Sequence, residues 1–219
     1  GTPGISNGSC LQHPNNHLQN GTKKMSLTAR DNILNAIKKG RPPLQPLPSS
    51  TSVDAVEYDQ PCKKFIEIFS GIGGQVVMVN GMQDIQEFIA GNFSQKNIIT
   101  TIASLSATKQ LLPATEGHQL ENIDLAILPA EFGVAENGAV WLTEAAMQIR
   151  VLPFICQQLA VVLSGKNIFS NMQQAYDKIG RQEYGFAAFI AGPSKTADIE
   201  QSLVLGAHGP KNMIIFLVE

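Results

Sequence analysis

The sequence is short of net charge, of cysteine and of long apolar runs. Sixteen Lys and Arg stand against eighteen Asp and Glu, a formal charge of −2 over 219 residues. No basic excess exists to neutralise a phosphate backbone or an anionic bilayer, so nucleic acid is not expected as a partner. The three cysteines, Cys10, Cys62 and Cys156, are far apart and none belongs to a Cys-x-x-Cys pair. That excludes a readable disulfide framework and a zinc or iron-sulfur ligand set, so neither a metal nor a resident cofactor is expected on this chain. The most apolar stretch, VLPFICQQLAVVL at 151–163, is broken by Pro153, Gln157 and Gln158. It falls short of the roughly 20 apolar residues of a membrane helix, and no span is expected. The first 24 residues are polar and carry no apolar leader core, which makes the cytoplasm the expected compartment.

Several catalytic signatures are missing as well. SGIGGQV at 70–76 fails the dinucleotide fingerprint G-x-G-x-x-G because Val76 stands where the third glycine belongs. Gly165-Lys166-Asn167 lacks the hydroxyl residue of a phosphate-binding loop. Neither G-x-S-x-G nor H-E-x-x-H occurs, which removes local support for a serine hydrolase or a zinc protease.

What is present is a globular composition, 43% hydrophobic with a mean hydropathy of +0.01. Residues 1–24 read as a polar arm with little to bury. Across 25–40, Ala29, Ile33, Leu34, Ala36 and Ile37 recur at helical spacing and Lys38, Lys39 and Gly40 close the run, which predicts an amphipathic helix. The stripe of that helix must find a surface on this subunit or another. Residues 41–59 form a linker that opens with four prolines in RPPLQPLPSS. From 60 to 219, short apolar runs alternate with helical stretches. Strands are expected at 65–70, 75–79, 98–103, 124–129, 139–143, 158–164, 186–191 and 213–219, and helices at 82–91, 104–111, 168–180 and 196–206. The fold class is α/β, a mostly parallel sheet with helices on both faces, in which ligands sit outside the carboxyl ends of the strands.

Three stretches have the residue types for chemistry. In AGPSKTADIEQSLVLGAHGP at 191–210, a strand ends at Gly192-Pro193 and Ser194, Thr196 and Asp198 compete to cap the expected helix. With Lys195 beside it, such a helix start is either an anion site or an ordinary capped turn. His208 either caps that helix or faces the strand-end cleft as a general acid or base. In EFGVAENGAVWLTE at 131–144, Asn137-Gly138 signals a tight turn. Glu136 there either points to water or is a carboxylate for nucleophilic or general-base work. Arg150 is a candidate cation for that carboxylate or for an anionic ligand. In SGIGG, Gly73 and Gly74 let the backbone approach another backbone or a ligand closely.

Together, GVAENGAVW, Arg150 with Val-Leu-Pro, GPSKTADIE and GAHGPKN resemble the lactate-utilisation (LUD) domain family, specifically its small third component. The resemblance runs from about Asp124 to Glu219, with a fainter likeness in the ARDNIL helix. It implies a fold like the group of sugar-phosphate isomerases, coenzyme A transferases and formyltetrahydrofolate cyclo-ligases. It implies a part in oxidising L-lactate to pyruvate beside partner proteins that carry the iron-sulfur clusters, with a small carboxylate as ligand and a homodimer as one possible assembly. On the family's motif positions stand Glu136, Arg150, Ser194, Lys195, Thr196, Asp198 and His208. Departures are Asn137 and Ala139 in place of threonines, Lys195 in place of arginine, and no histidine shortly after Leu152-Pro153. Glu136-Asn137-Gly138 is also similar to the Glu-Asn-Gly of some coenzyme A transferases, so an acyl-transferase or nucleotide-dependent ligase using Glu136 is the alternative. Read with the resemblance, Glu136, Arg150 and the 194–198 backbone are expected to converge on one pocket with His208 at its edge.

Overall fold

The computed structural model describes residues 28–43, 45, 55–106, 108, 117–180, 182, 184–199, 202–206 and 208–219. The expected polar arm and residues 107 and 109–111 of the helix expected at 104–111 lie outside them; 104–106 and 108 are not helical, 103–105 forming a turn and bend. The chain divides into two compact units, Gly1–Leu47 and Pro48–Glu219.

In the first unit, helix α1 spans Ala29–Lys39. Thr28 and Asp31 form a capping box, the hydroxyl accepting from the Asp31 amide and the carboxylate from the Thr28 amide, while Lys38 and Lys39 complement the dipole at the far end.

The second unit is built on a five-stranded sheet in the order β1 (Gln75–Val79), β11 (Asn212–Val218), β6 (Gln158–Ser164), β3 (Leu125–Pro129), β2 (Ile98–Thr100). Every neighbouring pair in it is parallel. The strands are apolar without alternation because both faces are covered. Helix α3 (Met82–Asn92) buries Ile85 and Ile89 against Leu125, Ile127, Ala160 and Phe216 on one face. On the other face Ala126, Leu128, Val161, Leu163 and Ile215 meet α2 (Pro61–Gly71), which buries Phe65 and Phe69.

That second face also carries a four-stranded sheet in the order β7 (Ile168–Phe169), β4 (Phe132–Val134), β5 (Ala139–Thr143), β8 (Ala187–Ile190). The expected Asn137-Gly138 turn joins the antiparallel β4 and β5. Phe132, Val134 and Trp141 on the outer side are covered by α6 (Met172–Ile179) through Ala175 and Ile179. Two short helices, α4 (Glu144–Met147) and α5 (Leu152–Ile155), lead from β5 to β6.

Three expectations are corrected. Residues 65–70, expected as a strand, lie in α2: Phe65, Ile68 and Phe69 are spaced i, i+3, i+4, and Pro61 opens the helix where its missing amide costs nothing. Residues 196–206, expected as a helix, form a hairpin of β9 (Lys195–Ile199) and β10 (Ser202–Leu205). β-branched Thr196, Ile199 and Val204 suit that ribbon better than a helix. Within 168–180 only 172–179 is helical, the first two residues pairing as β7.

Candidate functional site

The glycines of SGIGG close a helix rather than cradle a ligand. α2 ends in a Schellman motif, with the Gly74 amide donating to Phe69 O and the Gly73 amide to Ser70 O, both at 3.0 Å, and Gly73 at φ +92°. Both amides are therefore committed. A Cβ on Gly74 would fall inside the Phe69 ring, so that glycine is required by packing.

Ile72, in the same cap, is where the other two stretches arrive. Gly138, at φ +68°, donates its amide to Val134 O at 2.9 Å and lies so close that a Cβ would stand 3.2 Å from Ile72 Cδ1. Gly192, at φ +71°, leaves β8 with its Cβ position 3.1 Å from Ile72 Cγ1. The pairing of β5 with β8, Val140 opposite Ile190, carries both turns to the same end of the sheet. Ile72 is thus a hub that the sequence reading missed; its one signal is an isoleucine between glycines, at a helix cap.

Beyond Gly192, Pro193 is buried, Ser194 half-buried and Lys195 exposed. The Lys195 ammonium lies 3.7 Å from a Cβ placed on Gly73. It therefore sits at the carbonyl end of α2, where a cation is favoured. Ser194 is held on both sides, its amide donating to Pro210 O at 2.9 Å and its carbonyl accepting from Gly206 N at 3.1 Å. The exposed His208 precedes Gly209, whose Cβ position is 3.1 Å from Ser194 Cβ, so His208 stands at the rim of the same junction. Thr196 and Asp198 are in β9; with no helix following Ser194, no helix dipole is available there for an anion.

Glu136 is anchored. Its backbone amide donates to Ser170 O at 3.0 Å, and Oε2 accepts from the Met172 amide at 2.8 Å, the first of α6. Asn171 caps the same helix by accepting from Gln174 N, and its amide group donates to Val56 O. The carboxylate thus complements a helix start, the mirror of Lys195 on a helix end.

Arg150 does not join this junction. Its guanidinium forks onto the Glu144 carboxylate, Nη2 to Oε2 at 3.1 Å, and lies 5.7 Å from the Phe186 ring centroid. The pair holds the Glu144 carboxyl below its ordinary range, through the hydrogen bond first and the charge second, and holds Arg150 above its own. Both residues stand at the Thr143 end of β5, whereas Glu136 precedes Ala139 at the other end. Five strand residues separate the two ends by about 15 Å. The expected single pocket is corrected to a junction of Gly138, Gly192–Lys195 and Ile72–Gly74, with Arg150 remote from it.

Of this junction, Gly138 and Gly192–Lys195 lie on matched sequence and Ile72–Gly74 precede it. The LUD domain family model matches residues 115–218. That stretch of the chain is similar to the LUD domain. A lactate utilization protein C of Bacillus pumilus is 32% identical over 116 residues, covering 48% of each chain. One of Oceanobacillus iheyensis is 29% identical over 105 residues, 45% of each. The chain spans about half the length of the curated relatives it matches. The fold is that of a duf162 family protein from Deinococcus radiodurans, with a TM-score of 0.56 at 15% identity over 80% of this chain and 100% of that one. Among the described residues no helix is long and apolar enough to cross a membrane. β4 to β11, and with them Glu136, Lys195 and His208, fall inside the matched residues; α2 and its glycines precede the match.

Proposed function

We propose that this protein serves lactate utilisation and binds a small carboxylate at the junction where Gly192–Lys195 crosses the end of α2. The observation that carries the reading is the meeting of three separate stretches, the Gly138 turn, Gly73 and Gly192–Lys195, around Ile72. Lys195 supplies the cation, Ser194 the hydroxyl, and His208 a titratable group at the rim. Arg150, engaged by Glu144, is not a ligand contact. The iron-sulfur chemistry of lactate oxidation belongs in this reading to partner proteins, which electrons reach without a cluster on this chain. The relatives named for lactate utilisation support it.

The test is genetic and then chemical. A strain lacking the gene is expected to lose growth on L-lactate, to regain it with the wild-type copy and with Arg150→Ala, and to remain deficient with Lys195→Ala. Purified protein is expected to gain thermal stability with L-lactate or pyruvate, and the Lys195→Ala protein to gain none. Normal growth of the deletion strain on L-lactate would remove the proposal.

A further inference from the structure

Among the described residues the dipeptide Asn-Gly occurs twice, at 80–81 and 137–138, and the fold treats the two differently. Asparagine before glycine is a thermolabile pair, because glycine has no Cβ to keep its backbone nitrogen away from the preceding side-chain carbonyl. Reaction between them needs a glycine amide free to lose its proton and a backbone free to turn. At Asn137 both are withheld. The Gly138 amide donates to Val134 O at 2.9 Å, and Asn137 Oδ1 accepts from the Ala139 amide at 3.0 Å. Gly138 is also buried, with the Phe69 Cα 3.2 Å from its Cβ position. At Asn80 neither is withheld. Gly81 precedes α3 as its N-cap, its amide donates to no backbone carbonyl among the described residues, and a Cβ built on it meets nothing within 4 Å. Asn80 is exposed, its backbone amide and Nδ2 both donating to Asp84 Oδ2, at 2.8 and 2.9 Å.

We propose that Asn80-Gly81 is a self-modification site that deamidates in the folded protein, and that its product loosens the connection between β1 and α3. The Gly81 nitrogen bonds to Asn80 Cγ and gives up its proton, Nδ2 leaves with that proton as ammonia, and water opens the cyclic imide at either carbonyl. One water enters and one ammonia leaves; nothing is oxidised or reduced. The product is aspartate, or isoaspartate, in which the main chain runs through the former side chain and is longer by a methylene. Where an amide group donated to Asp84 at 2.9 Å, a second carboxylate now faces it. Two carboxylates in contact repel unless they share a proton, so the side-chain half of this clasp is lost. Isoaspartate also shifts the backbone amide that Asp84 holds, which removes the other half. The clasp closes the turn from β1, the strand at the end of the five-stranded sheet, into the first turn of α3, where Asp84 stands.

The experiment holds the full chain at mildly alkaline pH, samples it over days and digests it with trypsin, which leaves the two sites on separate peptides, residues 65–96 and 110–150. Mass spectrometry reads the exchange of NH2 for OH, and fragment spectra place it on Asn80 or Asn137. Asn80 is expected to react roughly tenfold faster than Asn137 or more, since two hydrogen bonds must open before Asn137 can react. In urea the two rates are expected to converge, because local sequence alone then sets them. Equal rates in the folded protein, a faster reaction at Asn137, or a difference that persists in urea would overturn the proposal. Gly81→Ala adds a Cβ that meets nothing, so the chain is expected to fold and its Asn80 to react several times more slowly; an unchanged rate would count against the site. For the product, Asn80→Asp is expected to lower the melting temperature and Asp84→Asn in the same chain to restore it. A melting temperature unmoved by the first substitution, or not recovered with the second, would overturn the loosening of the β1–α3 connection.

Discussion

Glu136 and Lys195 are both held by helix ends, one carboxylate on the first amide of α6 and one ammonium at the carbonyl end of α2. A charge so placed has a structural use whether or not a ligand ever reaches it. Glu136→Gln is expected to lower stability by about 0.5–1 kcal/mol, measured by urea denaturation, because the amide oxygen still accepts from Met172 but without the charge. A glutamyl thioester would strip the charge from that helix start and leave only a weak carbonyl acceptor, so incubation with an acyl-coenzyme A is expected to leave the intact mass unchanged; an adduct on Glu136 would favour the transferase reading. The glycines of α2 give a sharper contrast. Gly74→Ala must displace the Phe69 ring and is expected to cost more than 2 kcal/mol, whereas Gly71→Ala meets nothing within 4 Å and is expected to be neutral or stabilising by up to about 1 kcal/mol. Cys156 is buried, and burial pushes its thiol up to about 12 from 9.0. The folded state then keeps a proton that the unfolded state releases, so this group leaves stability unchanged below pH 9 and subtracts from it between pH 9 and about 12. Cys156→Ala is expected to flatten the decline of the melting temperature over that window.

At the scale of elements, α2 and the β9–β10 hairpin show what local sequence conceals. FIEIFS has the aromatic and β-branched content of a strand, yet its partners are Leu163 and Ile215 of a sheet already complete without it. Pro61 at the start and Gly73 beyond the end are residues that bound helices, but the strand reading of 65–70 passed over them, and tertiary packing decides between the two. KTADIEQSLVL has a capping residue and an apolar periodicity of helical kind, but the base is clamped by Ser194 bonding to Pro210 and Gly206, which fixes an antiparallel return. By contrast β3, β5, β6 and β11 were legible because each is a short apolar run bounded by turn residues. The same holds for the site: the motif stretches could be read from the chain, but their convergence on Ile72 depends on residues 65–70 folding as a helix that ends in SGIGG. Phe69 joins both levels, packing in the core and backing the Gly74 and Gly138 turns. Phe69→Ala is expected to cost about 3–5 kcal/mol and to abolish the carboxylate-induced thermal shift even where the protein remains folded.

For the molecule as a whole, the parallel sheet is the stable frame and the loops at its carboxyl ends and beside the second sheet are what it carries. β6 and β11 are flanked by strands on both sides and buried on both faces. Their amides are expected to exchange slowest with deuterium, ahead of β1 and β2 at the edges; slower exchange at either edge would contradict this order.

The strand order has one more consequence, for the moment of synthesis. Among the described residues β1 pairs only with β11, Gln75 against Ile214, so its neighbour leaves the ribosome well over a hundred residues after it. Until then QVVMV is an uncharged strand with both edges open, the kind of segment that pairs with whatever strand it meets. The nascent chain thus passes through a long interval in which its most vulnerable edge is unsealed, and in which a waiting chaperone, or slow crowding with its neighbours, decides the yield of folded protein.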